Sequence, residues 1–161
     1  VTEPSFICAV DIDIGEFTVV GSHACMQTPS LSAAAEAILR HRAVLIEVAS
    51  PICYHGDSKA ATASTARWQI WNSLAAGALW RELAHGQPGI KIRVSPSNRW
   101  TMGYDEKTRH AMAGIDPVKH NKNGVPLYLE NHDKRECRAM LWSYYVKPAL
   151  WVPMEDYLAS L

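Results

Sequence analysis

The segment from Phe6 to Gly21, FICAVDIDIGEFTVVG, constrains the fold more than any other part of the chain. Phe6 to Ile14 is apolar, partly β-branched and ended by Gly15, so it reads as a strand. Phe17 to Val20 reads as a second strand, close enough for a tight hairpin around Gly15 and Glu16. The first strand nevertheless carries Asp11 and Asp13. Side chains alternate between faces along a strand, so both acids share the face of Ile7 and Ala9. A carboxylate at the buried end of a core strand costs several kcal/mol unless something pairs with it. Where further carboxylates converge, the usual partner is a metal ion.

The remaining chain supplies a framework for that hairpin. His23–Gln27 reads as a third strand, completing an antiparallel meander, and Thr28-Pro29-Ser30 opens an Ala-rich helix over Leu31–His41. Ala43–Ala49, AVLIEVA, is a nearly continuous apolar run, the pattern of a central strand covered on both faces, and its single charge is Glu47. Residues 50–64 form a polar loop longer than most connections. Thr65–Ala84 reads as a long helix with Trp68, Trp71, Ala75, Leu79 and Leu83 on one stripe. So wide an apolar arc fits either a thick core or a helix shared between its own sheet and a second subunit. Ile90–Val94 is a strand, 95–104 a loop and Asp105–Ala113 a short helix. A polar stretch follows, with an Asn123-Gly124 turn signal, and then a helix from Asn131 to Val146 that Pro148 stops. The order β-β-β-α-β-α-β-α-α predicts an α/β fold, three antiparallel strands followed by parallel crossovers, in one domain spanning 1–161.

The formal net charge is zero, so bulk charge points to no partner. Its distribution is more telling. Residues 1–60 hold seven acids and three Lys/Arg, whereas 86–123 hold seven Lys/Arg and three acids, which suits a metal site beside a polyanion. The four cysteines show no paired spacing and sit mostly in apolar contexts, as reduced thiols in a cytoplasmic protein do. No apolar run approaches a membrane span and no signal peptide is visible, so neither a membrane location nor secretion is expected. His23-x-Cys25 and Cys53-x-His55 lack zinc-motif spacing, and the signatures of P-loop, zincin and serine-hydrolase chemistry do not occur.

In the last helix Asp133, Glu136, Met140 and Tyr144 share one face. Met140 and Tyr144 are core-type residues, so that face packs inward and carries two carboxylates with it. Asp11 or Asp13, Glu47, Asp133 and Glu136 then come from three distant segments into core-like settings. An all-carboxylate set suits Mg²⁺ or Mn²⁺, and a pair of such ions stabilises the attacking and leaving oxygens of an in-line phosphoryl displacement. His132, beside these acids, either touches a phosphate or caps the helix. Arg99 and Trp100 either stack on an unpaired base or cover the core.

The order of elements and acids resembles the ribonuclease H-like superfamily, and within it the RuvC-type Holliday junction resolvases. IDIG (12–15) is similar to the family's Asp-x-Gly at the end of strand one, LIEVA (45–49) to the Glu ending strand four, and DKRECRA (133–139) to its D-x-x-D-A-x-A helix. Glu136 stands where an Asp is commoner and Cys137 where an Ala is. The resemblance covers Phe6 to Val146. It implies a ribonuclease H-like mixed sheet flanked by helices and a homodimer that cuts four-way DNA junctions by two-metal phosphodiester hydrolysis. It also implies Mg²⁺ (Mn²⁺ substituting) held by Asp13, Glu47, Asp133 and Glu136, with Asp13 selected over Asp11, a reserve ligand. DNA would lie on Lys59, Arg99, Lys107, Arg109, Lys119 and Lys122, and the dimer would form through Trp68, Trp71, Ala75 and Leu79. Two further readings stand beside it: another nuclease of this fold acting on RNA–DNA hybrids or flaps, and a non-catalytic nucleic-acid-binding member.

Overall fold

The computed structural model describes residues 6–49 and 59–161, with backbone alone for 59–65. Strands β1 (Ile7–Asp13), β2 (Glu16–Gly21) and β3 (Cys25–Thr28) form the antiparallel meander. Gly15, at φ +78°, closes the two-residue turn between β1 and β2, a conformation few side chains tolerate. Helix α1 (Leu31–Ile38) starts at Ser30, whose side chain accepts from the Ala33 N–H, and leads into β4 (Ala43–Val48). Helix α2 (Lys59–Gly86) leads to β5 (Lys91–Pro96). Both β4 and β5 continue the sheet in parallel from β1. This is the mixed α/β sheet that the element order predicts.

Several details differ from expectation. β3 starts at Cys25, because the Gly21 N–H donates to Ala24 O (2.8 Å) and turns the chain through Ser22 and His23. α2 begins at Lys59, within the loop expected at 50–64, and the rest of that loop, 50–58, lies outside the described residues. The region after β5 is not all loop: Ser97–Trp100 forms one helical turn, α3, ahead of α4 (Glu106–Met112). The Asn123-Gly124 signal closes a hairpin of β6 (Lys119–His120) and β7 (Pro126–Leu127). After α5 (His132–Val146), β8 (Val152–Pro153) adds an antiparallel edge strand to β5 and α6 (Met154–Ala159) follows. The sheet order is therefore β3-β2-β1-β4-β5-β8. No described helix is long and apolar enough to cross a membrane.

Strand alternation divides the core in two. Cys8, Val10 and Ile12 of β1 and Val44, Ile46 and Val48 of β4 pack with Leu79 and Leu83 of α2, Ile38 of α1 and Met154 of α6. Ile7 and Ala9 of β1 and Ala43 and Leu45 of β4 face the opposite way, onto Cys137, Ala139 and Met140 of α5 and onto Trp100 and Trp151. At about 25 cal/mol per Å² of buried apolar surface, each such layer supplies the bulk of the folding drive for its helices. The second layer is the one that continues into acids.

Candidate active site

Parallel pairing sets Ala9 beside Leu45 and Val10 beside Ile46. One residue further, at the C-terminal ends of the two strands, Asp11 and Glu47 stand on the face covered by α5, where ligands of open α/β sheets gather. Both are buried. Asp13 lies one pleat beyond, exposed, its Oδ1 accepting from the N–H of Ile14 at 2.8 Å. The geometry therefore places Asp11 where the IDIG pattern implied Asp13.

Helix α5 brings the other acids. Its cap is Asn131, which accepts from the Lys134 N–H and donates to Gln27 Oε1 on β3 at 2.6 Å, pinning the first turn over the sheet. Cys137, where an Ala is commoner, packs against β2 with its thiol donating to Thr18 O (3.5 Å). Asp133 and Glu136 then face the strand ends. The strand ends are themselves fixed by side chains of α2, Asn72, not singled out from sequence, and Trp71, expected only at a dimer interface. Asn72 of α2 donates to Glu47 O (3.2 Å) and accepts from the Ala49 N–H (2.8 Å), and Trp71 Nε1 donates to Asp13 O (2.9 Å).

Trp100, one of the two residues expected to stack on a base or cover the core, is 1% exposed and stacks on Trp151 at 6.2 Å. Its Nε1 donates to Glu47 Oε2 at 2.7 Å, so it is interior machinery and unavailable to a nucleobase. Arg109, expected to contact DNA, instead forks onto Glu136: Nε to Oε1 at 2.9 Å and Nη2 to Oε2 at 2.8 Å. His110, fully buried, joins it with Nε2 2.6 Å from Glu136 Oε1. Arg135 Nη1 lies 3.2 Å from His110 Nδ1; that nitrogen accepts, so the ring proton sits on Nε2 and is donated to Glu136.

These environments pull the acids apart. Burial, then the charges of Glu47, Asp133, Glu136 and Asp13, raises the Asp11 carboxyl well above its ordinary value. Burial lifts Glu47 to about 7 in spite of the Trp100 hydrogen bond, with Glu136 adding to the rise. Glu136 is also pushed up by burial, but its bonds to His110 and Arg109 outweigh this and bring it down to about 2. Among the described residues no donor reaches the Asp11 carboxylate. Two buried, mutually repelling carboxylates, Asp11 without a donor and Glu47 with one neutral N–H, match a hard divalent cation such as Mg²⁺. Among the described residues, the group whose ligand atoms already lie close enough to share an ion is Glu106, His132 and Glu136, each bringing one within 4.8 Å of the others. His132 Nε2 is 2.7 Å from Glu106 Oε1 and its Nδ1 is 3.1 Å from Asp133 Oδ1. It therefore bridges two acids instead of capping α5, a role Asn131 fills.

Of the other basic residues, Lys107, Lys119 and Lys122 are exposed, Arg99 is exposed with Nη2 donating to Ala149 O (3.3 Å), and the Lys59 side chain lies outside the described residues. Of the four expected dimer residues, two turn inward. Leu79 is fully buried and Ala75 packs against the same core, because the stripe of α2 that they share faces the sheet. Trp68 is half-buried and Trp71 is exposed. The outward stripe consists of Ile70 (63% exposed), Trp71 and Leu74 (70%), next to Ile14.

The sequence matches no protein-family model and no curated protein. In three dimensions the chain is similar to T. thermophilus RuvC in complex with a Holliday junction substrate, at 12% identity and a TM-score of 0.55, over 92% of this chain and 98% of that one. A second Thermus thermophilus RuvC structure aligns at 12% identity and a TM-score of 0.46, over 92% and 99%. The chain thus has the ribonuclease H-like fold of RuvC.

Proposed function

We propose that this protein is a divalent-cation-dependent endonuclease that cleaves four-way DNA junctions. The observation that carries this reading is the convergence of two buried acids, Asp11 and Glu47, at the neighbouring C-terminal ends of β1 and β4, with Asp133 of α5 near enough for its charge to act on Asp11. That convergence occurs on a fold shared with a RuvC solved with a Holliday junction substrate. The three carboxylates would hold Mg²⁺, with Mn²⁺ as a substitute, and a bound ion would supply Lewis acidity toward a phosphate oxygen.

The chain's own residues do the rest. Trp100 and Asn72 hold Glu47 and its strand end in place. Burial of Asp11 and Glu47 keeps bulk water from screening their charge. His132, exposed, positions Asp133 by bridging it to Glu106. Lys107, Lys119 and Lys122 offer exposed cations to phosphates, contacts that position the nucleic acid without reading its sequence. Paired cuts across a junction call for two sites, and the stripe Ile14, Ile70, Trp71 and Leu74 is the surface through which a homodimer would form.

The test presents labelled four-way junction, linear duplex, flap and RNA–DNA hybrid to the protein, with and without Mg²⁺, beside its mass in solution. Symmetric paired cuts in the junction alone, dependent on Mg²⁺ and made by a dimer, are expected. Equal cutting of flap or hybrid would favour another nuclease of this fold, and full activity in excess chelator would remove the metal.

A further inference from the structure

The family resemblance implies that Glu136 is a metal ligand. Its surroundings say otherwise. A carboxylate binds a cation through lone pairs, and three of those of Glu136 already accept hydrogen bonds, two from Arg109 and one from His110. A guanidinium and a divalent cation on the same carboxylate would also repel each other.

Neither donor is free to leave. His110 is fully buried and its second nitrogen is engaged by Arg135, so turning the ring would leave buried polar atoms without partners. Arg109 is further held by Tyr104 O, to which Nη1 donates at 3.2 Å, and its guanidinium lies 5.7 Å from the centre of the Trp100 ring. The residue type fits this. Where an Asp would end short, the extra methylene of Glu136 carries its carboxylate across to α4. The same commitment takes Glu136 out of the neighbouring cluster with Glu106 and His132.

We propose that Glu136 is the buried counter-ion that ties α5 to α4 through Arg109 and His110, and that it is not a ligand of a cation held by the acids at the strand ends. This rests on the metal-dependent reading above and narrows its ligand set.

Isothermal titration of Mn²⁺ into the full chain separates the two roles. Asp11→Asn should weaken Mn²⁺ binding at least tenfold. Glu136→Gln should change it less than threefold while lowering the melting temperature of the metal-free protein. Arg109→Lys keeps the charge and the fold but loses the fork. It should leave Mn²⁺ affinity unchanged, whereas a ligand merely latched by Arg109 would be released and bind several-fold tighter. Loss of affinity in Glu136→Gln equal to that in Asp11→Asn, or a gain in Arg109→Lys, overturns the counter-ion role alone. No Mn²⁺ uptake by the unaltered protein overturns the metal-dependent reading and this assignment together.

Discussion

Glu47 and Glu136 are buried glutamates in one field of charge, and the fold treats them in opposite ways. Glu47 stands at a strand end with, among the described residues, a single donor, the indole N–H of Trp100, and its carboxyl rises to about 7. Glu136 stands on a helix with a guanidinium fork and an imidazole, and falls to about 2. Burial pushes both upward, so the difference lies in the donors. One neutral N–H does not offset the loss of water around a carboxylate, whereas a cationic fork plus a second N–H does. The first acid is left in want of a cation and the second already has one. Together they divide the site into a half that recruits and a half that is complete in the folded chain.

The most severe way to break this comparison is to remove the acid at the centre of the recruiting half. Asp11→Asn is expected to slow junction cleavage about 10³-fold, ~4 kcal/mol of barrier, because one ligand and one charge are lost at nearly constant shape. The metal-free variant should melt at the same temperature as the unaltered protein or higher, since it relieves repulsion among the acids. Asp13→Asn should cost less than about tenfold, because Asp13 is exposed and acts on Asp11 only through its charge. Cleavage rates of the two variants at saturating Mg²⁺ give the ranking directly. A reversed order would return the ligand role to the residue of the IDIG pattern.

A second pair of variants sharpens the comparison through pH. The Glu47 carboxyl is raised from 4.5 to about 7, so the folded state holds a proton that the unfolded chain has released. Its contribution to stability is therefore fully present below about 4.5 and is lost as pH rises toward 7, by ~3 kcal/mol for a shift of this size. Glu47→Gln removes the decline, and its advantage over the unaltered protein should open between these values. Glu136 is lowered from 4.5 to about 2, so it adds stability above 4.5 that is lost as pH falls toward 2. Glu136→Gln should be destabilised by ~3 kcal/mol at neutral pH, a deficit that narrows below 4.5. Denaturant melts of the metal-free proteins from pH 3 to 8 measure both. Parallel pH profiles for the two variants would show that the acids share one environment.

How much of this was legible in the chain follows from what sequence encodes. Strand and helix identity came through because alternation, Gly15 and Pro148 act locally. That Asp11 and Asp13 share a face was equally local. Which of them meets Glu47 depends on the register of β1 against β4, a pairing between segments more than thirty residues apart, and the Asp-x-Gly match carries no register. Arg109 read as a cation for DNA because its partner Glu136 is 27 residues away. The apolar arc of α2 was visible, but its inward side was set by where the sheet lies: Leu79 and Leu83 turned in, Ile70 and Leu74 out. Asn72 left no signal, being a single polar residue whose meaning is the strand end it reaches, and Trp100 was visible as a core cover but its bond to Glu47 was not.

The smallest expected effect isolates the single donor on which Glu47 depends. Trp100→Phe keeps an aromatic ring against Trp151 and removes the N–H that reaches Glu47 Oε2 at 2.7 Å. Trp151→Phe is its counterpart: that indole is also buried and donates at 2.9 Å, but to the hydroxyl of Ser143, which does not ionise in this range. Both variants lose one buried hydrogen bond and some packing, ~1–2 kcal/mol each. They differ in what the acceptor does with pH. A bond to a carboxylate is worth more when the carboxylate is ionised, so the Trp100 bond holds the Glu47 carboxyl lower than burial alone would. Without it that carboxyl rises beyond 7, and the deficit of Trp100→Phe should grow by roughly 1 kcal/mol between pH 5 and 8. The deficit of Trp151→Phe should stay flat across the same interval. Melts of the two variants in parallel decide the matter: a flat profile for Trp100→Phe would mean that Glu47 is already held by another group, and the contrast between one donor and three would no longer explain why the two glutamates titrate apart.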